Sequence, residues 1–150
     1  MKVYVAGSFK NAVKIRLFAQ RLREAGLHCY VFCDENERTN LLSEELRNKY
    51  DITLCKPNTA LRVPIIYDIG QINLDMLKIY DAVIVVLPCG KSAHLEAGYM
   101  AGSGRPVWIY GPMVRGEFDA MYVMAKGVYD ENEFDKLIAD VRAYDTITDR

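Results

Sequence analysis

The chain has no large excess of either charge: 19 Lys and Arg stand against 20 Asp and Glu over 150 residues, a formal net charge of −1. Nucleic-acid backbones and anionic membrane surfaces are held by broad basic fields, so both are excluded as expected partners. No run approaches the ~20 apolar residues of a membrane span. The first residues, MKVYVAGSF, hold one Lys and too short an apolar stretch for a signal peptide. A soluble, cytoplasmic protein is expected. Histidine is scarce, with only His28 and His94, and the four cysteines, Cys29, Cys33, Cys55 and Cys89, form no CxxC pair. Neither a zinc centre nor a disulfide framework is expected from such spacing, and the thiols are read as reduced. Also missing are GxGxxG and GxxxxGK[ST], which removes the usual support for dinucleotide and triphosphate binding. There are no internal repeats and no low-complexity tracts.

What remains is a chain 51% apolar and 26% charged, long enough to bury one core, and it is read as one domain over 1–150. KVYVA at 2–6 ends in Gly7-Ser8, a strand feeding a turn. Val13, Ile15, Leu17, Phe18 and Leu22 recur at near-helical spacing up to Gly26, a C-terminal cap position. LHCYVFC at 27–33 reads as a second strand, followed by the polar loop DENERTN, a helix over 41–50 and a stretch at 51–63 with no sustained period. Ile65, Ile69, Ile72, Met76 and Ile79 mark a helix over 64–80 that opens on Pro64.

DAVIVVL at 81–87 is almost wholly apolar, as a parallel strand covered on both faces must be, and is read as the central strand. A helix over 92–103, the strand PVWIY at 106–110, a short helix near 119–125, a strand at 127–129 and a last helix over 130–144 complete the reading. This alternation predicts an α/β fold: an open, mainly parallel, doubly wound sheet of the flavodoxin/Rossmann-like kind, with about five strands and helices on both faces.

In such sheets ligands meet the carboxyl ends of the strands. Gly7, Ser8, Phe9 and Lys10 follow the first strand and suit either an ordinary tight turn or a pocket for a hydroxyl or phosphate, with Lys10 as counter-charge. After the central strand, Pro88 ends pairing, Gly90 turns the backbone, and Ser92 is expected as the next helix's N-cap. Glu96 then falls in the first or second turn, where the positive end of the helix favours a carboxylate suited to act as a nucleophile. The alternative is an acid that merely complements the dipole. Lys91 and His94 are read as solvated or capping side chains, with a place in the site as the alternative.

Together, KVYVAGSF, DAVIVVLPCGKSAHLEAGY and GPMVRGEFDAMYVMA resemble the nucleoside 2-deoxyribosyltransferase-like N-glycosidases over about residues 2–125. The resemblance implies Glu96 as the nucleophile on the anomeric carbon, Tyr4 touching it, and Gly7 and Ser8 at the sugar or phosphate. Asp119, with Met121 two residues on, falls where relatives present a polar side chain across a subunit interface, so a homo-oligomer with composite sites is implied. Where well-known members carry an aspartate for the departing base, this chain has Asn73; either Asp68 or Asp75, the latter on a different helix face, is recruited instead, or Asn73 only hydrogen-bonds the base and leaving-group help comes from elsewhere. A retaining glycosidase ordinarily sets a second acid about 5 to 5.5 Å from the nucleophile.

The expected activity is cleavage or transfer at the N-glycosidic bond of a nucleoside or nucleoside monophosphate, without metal or organic cofactor. Phe9 and the aromatics bordering DENERTN are candidates to stack on the base, or else core. Asp119 leans the reading toward free nucleosides unless Lys10, Lys91 or Arg115 offsets its charge. The alternatives are an NAD-type glycohydrolase and a non-catalytic nucleotide-sensing module.

Overall fold

The computed structural model describes residues 1–33, 64–113 and 118–148, with the side chains of 64–66 and 147–148 left out. The expectations for 34–63, including the DENERTN loop and the helix over 41–50, and for Arg115 lie outside the described residues.

Among the described residues, five strands form one wholly parallel sheet: β1 (Lys2–Ala6), β2 (His28–Val31), β3 (Ala82–Val86), β4 (Val107–Tyr110) and β5 (Gly127–Tyr129), in the order β2-β1-β3-β4-β5. The helices are α1 (Ala12–Glu24), α2 (Pro64–Ile79), α3 (Lys91–Gly102) and α4 (Phe134–Thr148). Phe18 of α1 meets Phe134 of α4 edge-on, 5.8 Å between centroids, on one face of the sheet. Helices α2 and α3 touch each other on the opposite face. The fold is therefore an open, doubly wound α/β sheet. No helix among the described residues is long and apolar enough to cross a membrane.

Each element follows from its residues. All five positions of β3 are buried, because the strand has helices over both faces. Helix α1 turns Ile15, Phe18, Ala19 and Leu22 inward at spacings of three and four, and Gly26 ends it at φ 80°, the left-handed region. Two boundaries differ from the sequence reading. Helix α3 begins at Lys91 with Gly90 as its N-cap and no side-chain cap, so Ser92 lies inside the first turn. The last helix is preceded by a separate 3-10 turn, Glu131–Glu133, closed by a capping box between Asp130 and Glu133.

The strand order reverses direction between β1 and β3. From β1 the chain winds one way to β2, and from β3 the other way to β4 and β5, leaving a crevice above the carboxyl ends of β1 and β3. At the far edge, Asp140 of α4 holds the sheet by accepting from the fully buried Trp108 Nε1 at 2.7 Å and from Tyr129 Oη at 2.9 Å. Asp140→Ala strands a buried indole N–H and is expected to cost about 1–3 kcal/mol in urea denaturation. Asp140→Asn, which keeps an acceptor, is expected to lose less.

Candidate functional site

Alternation along β1 turns Tyr4 toward the face that carries α2 and α3, where its ring packs against Tyr30 at 5.3 Å and Tyr80 at 6.4 Å. Fixed by these neighbours, its hydroxyl donates to Glu96 Oε1 at 3.0 Å, joining residues 92 apart in sequence. Glu96 is the sixth residue of α3, in the second turn. Ser92, Leu95, Glu96 and Tyr99 recur at helical spacing and form one wall of a cavity of about 600 Å³. The facing wall is Ile69, Gly70, Asn73, Leu74 and Leu77 of α2, and the rim consists of Gly7, Ser8, Phe9, Lys10, Phe32 and Gly90.

The rim is built by local chemistry. Ser8 caps the 3-10 turn after β1, its hydroxyl accepting from Lys10 N at 3.3 Å. A Cβ on Gly7 would overlap Ile15 Cδ1, so a side chain there would have to push the tip of Ile15 aside. Phe9 and Phe32 meet edge to face at 4.6 Å, presenting aromatic surface to the cavity.

Burial pushes the Glu96 carboxyl up from its ordinary 4.5 to about 7, and the hydrogen bond from Tyr4 pulls the other way without prevailing. Glu96 thus departs from the ionised acid expected near a helix start. The dipole fades beyond the first turn, and desolvation acts on the whole charge. The same burial, with Glu96 beside it, raises the Tyr4 phenol far above its ordinary value, so Tyr4 remains a neutral donor.

The structure gathers Gly7, Ser8, Phe9, Lys10, Asn73, Gly90, Ser92 and Glu96 around this cavity, with Tyr4 bonded to Glu96 from behind. It does not bring Asp75 there. That carboxylate is on the exposed side of α2, accepting from Lys78 Nζ at 2.7 Å and Gln71 Nε2 at 3.1 Å, and these bonds hold its pKa low. Asp75 is not among the described residues that line this cavity, which its helix phase explains. Asp68 is exposed and also absent from the lining. Asp119 and Met121 lie across α3, lining a second cavity of about 720 Å³. There Asp119 caps a 3-10 turn by accepting from Met121 N at 2.7 Å. Tyr99 and, apart from Asn73, the α2 wall were missed from sequence, although Tyr99 is one helical turn beyond Glu96.

No family model and no curated protein matches the chain. Among solved structures it is similar to the Clostridium botulinum CMP N-glycosidase BcmB, at 14% identity and a TM-score of 0.49, over 96% of this chain and 99% of that one. At that level the similarity assigns neither family nor activity to this chain.

Two outcomes follow from the carboxylate's surroundings. The side-chain carboxyl of Glu96, followed by carbon-13 NMR, is expected to titrate near pH 7, and Tyr4→Phe is expected to raise its midpoint by removing a donor to the ionised form. Because the folded protein holds this proton more tightly than the unfolded chain, the contribution to stability is complete below about pH 4.5 and lost as pH rises through about 7. Glu96→Gln is therefore expected to raise Tm relative to wild type at pH 8, with the difference shrinking toward pH 4.5.

Proposed function

We propose that the protein is an enzyme that cleaves, or exchanges the base at, the N-glycosidic bond of a nucleoside or nucleoside monophosphate. Glu96 is the nucleophile and the reaction is retaining. The observation that carries this reading is the Tyr4–Glu96 bond at the wall of the cavity above the strand-order reversal. Tyr4 engages Oε1, leaving Oε2 to attack the anomeric carbon. As the C–O bond forms, the C–N bond breaks and its electron pair leaves with the base. Water or a second base then attacks the glycosyl ester and returns the carboxylate. Attack requires the ionised form, so kcat/KM is expected to rise with pH through about 7.

The lining supports a nucleoside-sized ligand. Phe9 and Phe32 offer aromatic surface for a base, Asn73 offers both a donor and an acceptor, and Ser8, Ser92 and Lys10 suit a sugar or its phosphate. Glu96 is the one carboxylate among the described lining residues. A second acid would come from another copy of the chain presenting Asp119, since within one chain Asp119 opens into a different cavity. The neutral amide at Asn73 favours one alternative, a module that binds nucleotides without cleaving them.

Incubation with deoxynucleosides, nucleoside monophosphates and NAD, with free base followed chromatographically, tests the reading. Glu96→Ala is expected to lower release on the order of 10³-fold or more, and intact-mass analysis of wild type to find a sugar adduct on Glu96. Tyr4→Phe is expected to lose about tenfold, the size of one hydrogen bond. Binding without base release from any of these compounds would replace the enzyme with the sensor. Composite sites are tested by mixing Glu96→Ala with Asp119→Ala, each expected to be inactive alone. Reshuffled subunits are expected to recover part of the wild-type rate.

A further inference from the structure

A third cavity, of about 500 Å³, opens on the sheet face that carries α1 and α4, away from Glu96. It too lies at the carboxyl edge of the sheet. Its lining includes Tyr110, the last residue of β4, and Lys14, whose Nζ donates at 3.1 Å to the carbonyl of Leu87 just after β3. Lys10, Lys14, Leu17 and Arg21 follow one another at steps of four, three and four, the spacing that sets side chains on one helical stripe. Three of these four are cations. Glu131 is the one carboxylate among the described lining residues, so two positive charges in the lining are left without an acid.

The cations are held toward one another. Lys14 is half-buried and also donates to Glu131 Oε1. The Glu131 carbonyl accepts from Tyr110 Oη at 2.8 Å, and Arg21 Nη1 donates to that hydroxyl at 3.4 Å. The Arg21 guanidinium lies over the Phe134 ring, 3.7 Å from its centroid, which fixes its plane. Through these contacts Lys14 and Arg21 meet across the cavity, although about 10 Å of helix rise separates them. Lys10 is exposed at the other end, and among the described residues neither Lys10 nor Arg21 forms an ion pair.

We infer that this cavity binds a linear polyphosphate chain, free or carried by an organic group such as a nucleoside. Cations strung from Lys10 to Arg21 over about 16 Å of helix rise suit an extended anion better than a single phosphate. A concave site lined by one sign of charge also concentrates such ions. The cradle is made of side chains, so it needs no glycine-rich backbone loop. Val13 and Leu17, 65% and 59% exposed, add apolar surface for an organic group. Lys10 lines both this cavity and the Glu96 cavity, so the two are neighbours over the β1 exit.

The test reads binding and requires no glycosidase activity. Inorganic triphosphate, titrated into the whole protein at low ionic strength by calorimetry, is expected to fill one site with a Kd below about 1 mM, at least about tenfold tighter than inorganic phosphate. Arg21→Gln and Lys14→Gln, with folding checked by circular dichroism, are each expected to weaken it about tenfold. Ser92→Ala and Glu96→Gln, in the other cavity, are expected to leave it unchanged. Glu131→Gln removes the competing acid and is expected to tighten binding, whereas Glu24→Gln, an exposed acid outside the lining, is not. A nucleoside triphosphate that binds more tightly than inorganic triphosphate, with the gain lost in Leu17→Ser, assigns an organic ligand; equal affinity assigns the free chain. The inference is overturned by no saturable binding up to about 10 mM. It is equally overturned by binding that Lys10→Ala abolishes and Arg21→Gln leaves intact, which would put the anion at the rim of the Glu96 cavity.

Discussion

One hydrogen bond, from the Tyr4 hydroxyl to Glu96, depends on almost every long-range feature of this fold. It forms only if β1 lies beside β3, if the helix after β3 covers the Tyr4 face, and if the tyrosine ring stands fixed against Tyr30 and Tyr80. Its energetic role is secondary to its geometric one. On Glu96 it opposes desolvation and loses, so the carboxyl stays near the midpoint of its titration at neutral pH. What it settles is which oxygen is occupied and where the group points.

Helix α3 serves two chambers because of its period. Ser92, Glu96 and Tyr99 face one cavity, while His94, Gly98 and Ala101 face the other. Small residues on the second side leave space rather than filling it. Gly90 and Leu95 belong to both walls, so a change at the helix start bears on two sites at once.

The architecture was legible because its signals are local. An uninterrupted apolar strand, DAVIVVL, means cover on both faces, and three-and-four spacing marks α1 and α2. Cap positions were less legible, since the Gly90 cap uses backbone geometry that mimics no side-chain signature. Within the candidate site, residues immediately after strands were found, whereas those supplied by α2 were not, Asn73 excepted. Asn73 was singled out only through the family resemblance, and Leu74 and Leu77 carry nothing beyond an ordinary core pattern. The protonation of Glu96 was misjudged for a physical reason. Helix polarity can be read along a chain, but desolvation depends on Tyr4 and other partners brought from distant segments. Asp75 stands two residues beyond Asn73, and that step alone already tells from the sequence that its side chain belongs to another helix face.

Arg105, just before β4, donates to the carbonyls of Leu77 and Tyr80, tying the end of α2 to the chain that leaves α3. The tie sits at the sheet's amino edge, whereas the cavity between the two helices opens at the carboxyl edge. Two rods pinned at one end part like the jaws of a peg, by swinging about the pin. Any widening to admit a bulkier guest would therefore be largest at the Ile69–Gly70 end and smallest at Leu77, so the mouth yields before the floor does.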